Sequence, residues 1–275
     1  MINVIIIKKG CHMLTIGFIG AGNMAQAMIK GWSGNQEIQQ VVYSPHAGQK
    51  VADDLHIEAK SSALEVWLAS DLVVLATPPD QLAAVARELQ PGILIKPSVI
   101  VASVLGGISL EQLHKALGNT VVVTRALPNV NVAVKYGYTA LAFDEQVDAD
   151  VKGAVAALFL ELGRTDELTE EQFGAASAIA GSGPAFVAAF TEAFKEAGVA
   201  KGLDEEVAAK LAEQTVAGTA QHMTQAKKAP LDLANEVMTP GGSTAAGFDV
   251  LTQGGLNQLV LDTITATMAK NAEFE

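Results

Sequence analysis

Two hydrophobic rhythms divide this chain. Up to about residue 168, short β-branched runs ("LTIGFIG", "VVYS", "DLVVLAT", "SVIVASV", "VVVTRA", "GYTALAF") alternate with stretches such as "NMAQAMIKGW", "DQLAAVARELQ" and "SLEQLHKAL". In the latter the apolar residues recur at three and four, the spacing of one helix face. Such alternation predicts a parallel, doubly wound α/β sheet. After "GRTDELTEEQF" the strand signal stops, and "GPAFVAAFTEAFKEAG", "DEEVAAKLAEQTVAGTAQHM" and "NQLVLDTITATMAKN" carry helical spacing alone. The pattern therefore predicts an α/β domain over residues 14–168 and an all-α domain over 169–275. Because "LTIGFIG" is a complete first strand, residues 1–13 read as an N-terminal extension, or as the product of a start placed at Met1 instead of Met13.

Composition narrows the function classes. With 49% hydrophobic and 17% charged residues the chain is alanine-rich and compact, and no apolar run approaches the ~18 residues of a membrane span, so no membrane partner is expected. A net charge of -12 argues against a nucleic-acid partner, which a basic surface would have to hold. The one cysteine, Cys11, excludes an intrachain disulfide and fits a reducing compartment. The apolar run Val4 to Ile7 is too short for an export signal, and the cytoplasm is expected. The histidines at 12, 46, 56, 114 and 222 are scattered, and no metal site is predicted.

What remains is a small ligand, and "GFIGAGNMA" points to a dinucleotide. Gly17, Gly20 and Gly22, with Ala25 at the third small position, lie between a strand and a helix starting near Asn23. Glycines there let the backbone turn and approach a pyrophosphate, which meets the positive end of the helix; this makes the first domain Rossmann-type. NAD-preferring sites place an acid after the second strand, to hold the ribose hydroxyls. Here "YSPHAGQK" has no carboxylate, and Ser44, His46 or Lys50 could hold a 2′-phosphate, so NADP is expected, with NAD as the alternative.

"GFIGAGNMA", "RALPN", "GSGPAF" and "TPGGSTAAG", in that order, resemble the pyrroline-5-carboxylate reductases, which make proline by reducing a small cyclic imine with NADPH. The resemblance runs from Leu14 to the C-terminus. It implies that the helical domain is a dimerisation domain intertwined with a second subunit, in a homodimer or a ring of dimers. Each site then combines one chain's Rossmann domain with its neighbour's helices. It further implies that Gly20, Gly22, Asn23, Met24, Ser44, Ala76, Thr77, Pro78, Pro79, Pro128 and Asn129 border the cofactor. Under this reading the Gly-Gly bend clusters backbone N–H groups beside a helix N-terminus, a nest that holds a carboxylate. Thr239, Gly241, Gly242, Ser243 and Thr244 then bind substrate, and Thr244 lies where the family places a hydroxyl near the imine nitrogen. In "GSGPAF", Ser182 is expected to cap a helix with Pro184 in its first turn. Just upstream the family has a carboxylate and a hydroxyl, which implies that Glu170, with Glu171 an adjacent rival, binds substrate and that Ser177, with Thr244, is catalytic.

Several positions depart from the family pattern. Pro78 stands where a lysine is usual, Leu105 and Gly106 replace two alanines, Val130 and Asn131 replace threonine and proline, and Ala63 replaces an asparagine near the adenosine. The chemistry tolerates these changes, because a cyclic imine can take its proton from water and the protein's task becomes orientation. The alternatives are reduction of another small imine or carbonyl acid, and an NADP-binding relative without turnover. Carbonyl chemistry of the 3-hydroxyacid dehydrogenase kind needs a base, and Lys195, eleven residues beyond Pro184, is about three helical turns too far.

Overall fold

The structure, a computed structural model, describes residues 13–273. The expected extension, Met13 apart, lies outside the described residues. Packing divides the chain into two units: one runs to Gly181 and takes in the residues from Met268 on, and the other is Ser182–Thr267. The change in secondary structure near residue 168 and the change in packing near 181 are thus separate events.

The first unit is an eight-stranded sheet of β1 (Leu14–Ile19), β2 (Ile38–Tyr43), β3 (Glu58–Ala59), β4 (Leu72–Leu75), β5 (Ile100–Ser103), β6 (Val122–Pro128), β7 (Gly137–Phe143) and β8 (Gly163–Glu167). Its order is β3-β2-β1-β4-β5-β6-β7-β8. Strands β1 to β6 run parallel, with Ile16 facing Gln40 on one side and Leu72 on the other. β7 turns back antiparallel to β6, and β8 runs parallel to β7. The expected parallel, doubly wound sheet is present over β1 to β6, and only the β6–β7 pairing is antiparallel. A run of alternating apolar residues records burial but not direction, and a short return from β6 permits the reversal.

Helices α1 (Asn23–Trp32), α2 (Gly48–Leu55), α3 (Ala63–Ala69), α4 (Leu82–Ile95), α5 (Leu110–Leu117) and α6 (Ala149–Leu160) follow their strands. They cover both faces, which is why the central strands read as continuous apolar runs. Phe18 and Val74 face a layer with Met28, Trp32 and Phe159, while Ile19, Val73 and Leu75 face one with Trp67, Leu89 and Leu113. Both buried indoles find acceptors, Trp32 on Leu158 O at 3.1 Å and Trp67 on Lys96 O at 3.1 Å.

From Glu170 the chain is helical: a short turn, α7 (Phe173–Ala176), a π-helical turn over Ser177–Gly181, then α8 (Gly183–Ala200). Ser182 has helical angles and makes no side-chain capping bond, so the expected cap is not formed; the helix runs through it, with Pro184 in the first turn. The stretch Glu170–Ala200 is long and apolar enough, by length and composition, to cross a membrane, against the expectation that no run would qualify.

The second unit holds α8, α9 (Glu205–Ala226), α10 (Pro230–Val237), α11 (Ser243–Gln253) and most of α12 (Leu256–Ala272). Its buried hydrophobic residues are Ala208, Ala212 and Leu233, whereas Phe186, Phe190, Phe194, Leu211, Val250 and Leu259 are exposed on the isolated chain. A helical unit with so little interior and so much apolar surface has the makeup of half an interface.

Candidate active site

Strands β1, β2, β4, β5 and β6 end at one edge of the sheet, because they are parallel. At this carboxyl edge the strand order reverses between β1 and β4, which opens the crevice where doubly wound sheets take their ligands. Gly20 adopts φ +109°, and a Cβ there would lie 2.3 Å from Ala76 O. Only glycine permits this contact. Gly20 N also donates to Tyr43 O at 2.8 Å, so residues 20–24, 43–44 and 76–79 form one rim. Gly22, by contrast, faces open space.

Four helices start on a side-chain cap: Ser62 for α3, Ser109 for α5, Asp148 for α6 and Asp204 for α9. Helix α1 instead starts on Gly22, with no side-chain cap and no acid in its first turn, so its leading N–H groups and dipole stay available to an anion. Near the rim, Ser44 is half-buried, His46 is exposed, and residues 43–50 carry no carboxylate. These features fit a phosphorylated dinucleotide. Pro78 and Pro79 are exposed at the next loop, where the absent lysine would have stood. Leu105 is buried and Gly106 exposed after β5. Ala63 is fully buried at the start of α3 and donates its N–H to Glu88 Oε1, so its side chain is enclosed within the domain.

The bend at residues 238–242 repeats the device in the second unit. Helix α10 stops at Val237 and α11 starts at Ser243 on Gly242, again with no side-chain cap and no acid in the first turn. Gly241 has φ +73°. A Cβ on Gly242 would lie 2.3 Å from Thr239 Oγ1 and 3.0 Å from Thr239 O. Gly242 N donates to Thr239 O at 2.9 Å, which closes the turn. Thr239, Ser243 and Thr244 are exposed around it. The geometry is an uncapped helix end ringed by hydroxyls.

The segment 170–181 closes the N-terminal run of the first unit in sequence. Glu170 Oε1 accepts from Arg125 Nη1 at 2.6 Å and from Leu110 N at 3.1 Å. Its neighbour Glu171 is exposed. Ser177 opens the π turn, and its Oγ accepts from Asn271 Nδ2 at 3.2 Å. Asn129, buried at the end of β6 beside Pro128, donates through Nδ2 to Ala180 O at 3.0 Å and accepts from Tyr138 N through Oδ1. Both polar ends of its amide are used inside the protein. Residues 20–24, 44, 76–79, 128–129, 170 and 177 thus lie in the first unit, and residues 239–244 in the second.

Two residues of this region, Phe173 and Asn271, receive no role from the sequence, and Arg125, although it opens "RALPN", receives none either. The guanidinium of Arg125 lies over the Phe173 ring, 4.6 Å from its centre. The alternation Val121, Val123, Arg125, Leu127 into β6 held the signal, since a charge at a core-facing position demands a partner.

Comparison with known proteins agrees with this arrangement. Residues 170–274 match the family profile of pyrroline-5-carboxylate reductase dimerisation, and residues 15–107 that of the coenzyme F420-dependent NADP oxidoreductases. The chain is 31% identical over 266 residues to the pyrroline-5-carboxylate reductase of Synechocystis, covering 95% of this chain and 98% of that one. A pyrroline-5-carboxylate reductase structure from Coxiella burnetii is similar with a TM-score of 0.86 and 31% identity, covering 95% of this chain and 98% of the other. A pyrroline carboxylate reductase from Plasmodium falciparum, solved with NADP bound, gives 0.83 and 26% over the same shares. With its motifs in order, both domains matched and relatives alike over nearly their whole length, the chain belongs to the pyrroline-5-carboxylate reductase family.

Proposed function

We propose that this protein reduces 1-pyrroline-5-carboxylate to L-proline with NADPH. The observation that carries the reading is the pair of uncapped, glycine-started helices: α1 at the sheet crevice for a pyrophosphate, and α11 behind the Gly241–Gly242 bend for a substrate carboxylate. NADP(H) is the cofactor, with Gly20, Gly22, Asn23, Met24, Ser44, Ala76, Thr77, Pro78 and Pro79 as its rim and the Pro128–Asn129 corner nearby. The cofactor supplies a hydride; the chain binds, orients and excludes water.

Thr239, Gly241, Gly242, Ser243 and Thr244 hold the substrate. The N–H groups at the start of α11 take its carboxylate, and the Thr244 hydroxyl faces the imine nitrogen. Ser177 is the second hydroxyl at the reacting centre, on the helix that runs on into α8. The Glu170 carboxylate, the substrate-side acid of this segment, accepts hydrogen bonds from Arg125 and from Leu110 N, which fix its place. Protonation of the cyclic imine by solvent leaves no need for a dedicated acid, and the rate gain comes from orientation.

The apolar surface of the second unit supports a homodimer, alone or in a ring of dimers, whose neighbouring chain supplies the helical half of each site. The same surface, and not a bilayer, accounts for the apolar stretch Glu170–Ala200, whose far end carries Glu192, Lys195 and Glu196. An acidic chain is a poor nucleic-acid ligand. The cytoplasm is the compartment that fits a dinucleotide reductant and a soluble imine.

Steady-state assay with racemic pyrroline-5-carboxylate tests the reading. One NADPH oxidised per proline formed is the outcome it requires. Tight NADPH binding without imine turnover would favour a nucleotide-binding relative instead.

A further inference from the structure

From Val121, just before β6, the side chains of residues 121, 123, 125 and 127 alternate onto the face that packs against Leu113 and Leu117. Val121 and Val123 are buried there, and Leu127 packs against the same layer. Arg125 stands in this apolar row with its side chain only 12% exposed. Removing a guanidinium from water costs several kcal/mol unless charge and geometry are matched, and an apolar side chain of similar volume would be as stable or more so. A strand that keeps an arginine here is fixing a geometry.

The partners define that geometry. Arg125 bonds Glu170, the Glu170 oxygen also holds the first N–H of α5, and Phe173 lies under the guanidinium plane. Four residues on, Asn129 holds Ala180 O. One polar side chain of β6 and one just past its end thus hold segment 170–181 at Glu170 and at Ala180. Between the grips the helix is π-wound, beginning at Ser177. A π turn is a helix held one residue out of register, and it persists only where neighbours enforce it.

We infer that Arg125 is a positioning residue for imine reduction: through Glu170 and Phe173 it sets segment 170–181 against the end of β6, and so fixes the Ser177 hydroxyl, without touching substrate. The inference rests on the proposed role of Ser177. An open recess of about 430 Å³ borders Arg125, Glu170, Ser109, Gln112 and Lys115, so the rival is that Arg125 itself meets an anionic ligand there.

The test compares Arg125→Met, Glu170→Gln and the double variant in the full-length enzyme, with kcat, KM for the imine, Kd for NADPH and Tm measured for each. Arg125→Met keeps an apolar stem but loses the guanidinium that bonds Glu170 and lies over Phe173; Glu170→Gln keeps the volume and loses the charge. Each single variant is expected to lower kcat roughly ten- to a hundred-fold, with NADPH affinity unchanged. The double variant should be no worse than the poorer single one, because both break one linkage. Arg125→Lys should recover part of kcat. Unchanged kinetics with a lowered Tm would make the pair purely structural and overturn the inference. A rise confined to KM, additive in the double variant, would make Arg125 a ligand contact and overturn it as well. Should Arg125→Met fail to fold, Glu170→Gln carries the same expectations alone. Ser177→Ala separates the two readings: a silent Ser177→Ala retires the role of that hydroxyl, whereas a silent Arg125→Met retires the positioning alone.

Discussion

Gly20 and Gly22 lie two residues apart and answer a methyl group in opposite ways. At Gly20 a Cβ would press on the Ala76 carbonyl at 2.3 Å from a backbone with φ +109°, so Gly20→Ala strains the fold itself. Its cost should be at least about 2 kcal/mol, read as a lower Tm before any ligand is added. At Gly22 the methyl meets no protein atom within 4 Å and would occupy the space of the pyrophosphate. Gly22→Ala should leave Tm unchanged and weaken NADPH by more than about ten-fold, measured by titration. At the other half of the site, Thr244→Val removes a hydroxyl assigned to substrate alone. It should lower kcat/KM for the imine by about ten- to a hundred-fold while NADPH affinity holds. Equal activity in that variant would retire the Thr244 assignment.

Among the elements, the start of α11 is the most exacting. Its N-cap is Gly242 at φ -80°, which any residue could adopt, so the requirement for glycine is one of space: the Thr239 hydroxyl and carbonyl fill the place of a Cβ. The hydroxyl can rotate away, but the carbonyl closes the turn and cannot. Gly242→Ala should therefore open the bend, raising KM for the imine by about ten-fold or more with little change at the nucleotide site. This junction was legible in the chain, since a proline and two glycines between helical patterns permit little else, and so was the start of α1 at Asn23. The two strands that carried no recognisable signal, β3 and β8, are the edges of the sheet. β3 has two residues, and β8 ("GRTDE") exposes Arg164, Asp166 and Glu167, so its sequence looks like the opening of the acidic run that follows. Ser182 misled for a related reason. A serine before Gly-Pro is a local helix-start signal, but Arg125 and Asn129, far away in sequence, hold the chain helical upstream of it. The grip on segment 170–181 belongs to tertiary structure: "RALPN" supplies both of its residues, Arg125 and Asn129, but the motif does not say what they hold.

For the whole molecule, the exposed apolar residues of the second unit cannot stay in water on a stable protein of this size. Phe186, Phe190 and Phe194 recur every fourth residue on α8, and the rings of Phe190 and Phe194 meet at a 45° tilt with centres 4.8 Å apart. Light scattering should find no single-chain mass. Phe190→Glu, which places a charge in that row, should shift the mass toward one chain and abolish turnover, while the first unit still binds NADPH. An active monomer would contradict a site completed by a second subunit. The division between the units follows from the sequence: the α/β layer has a core of buried branched residues and carries the glycine-rich turn at the sheet crevice. The alanine-rich helices bury little within the single chain, in keeping with their match to a dimerisation domain.

A structure of the enzyme bound to NADP and proline tests the central claim most directly. The account predicts the proline carboxylate within hydrogen-bonding distance of the N–H groups that open α11, with the ring carbon next to its nitrogen facing the nicotinamide. A proline bound elsewhere, with the Gly241–Gly242 bend empty, would contradict it.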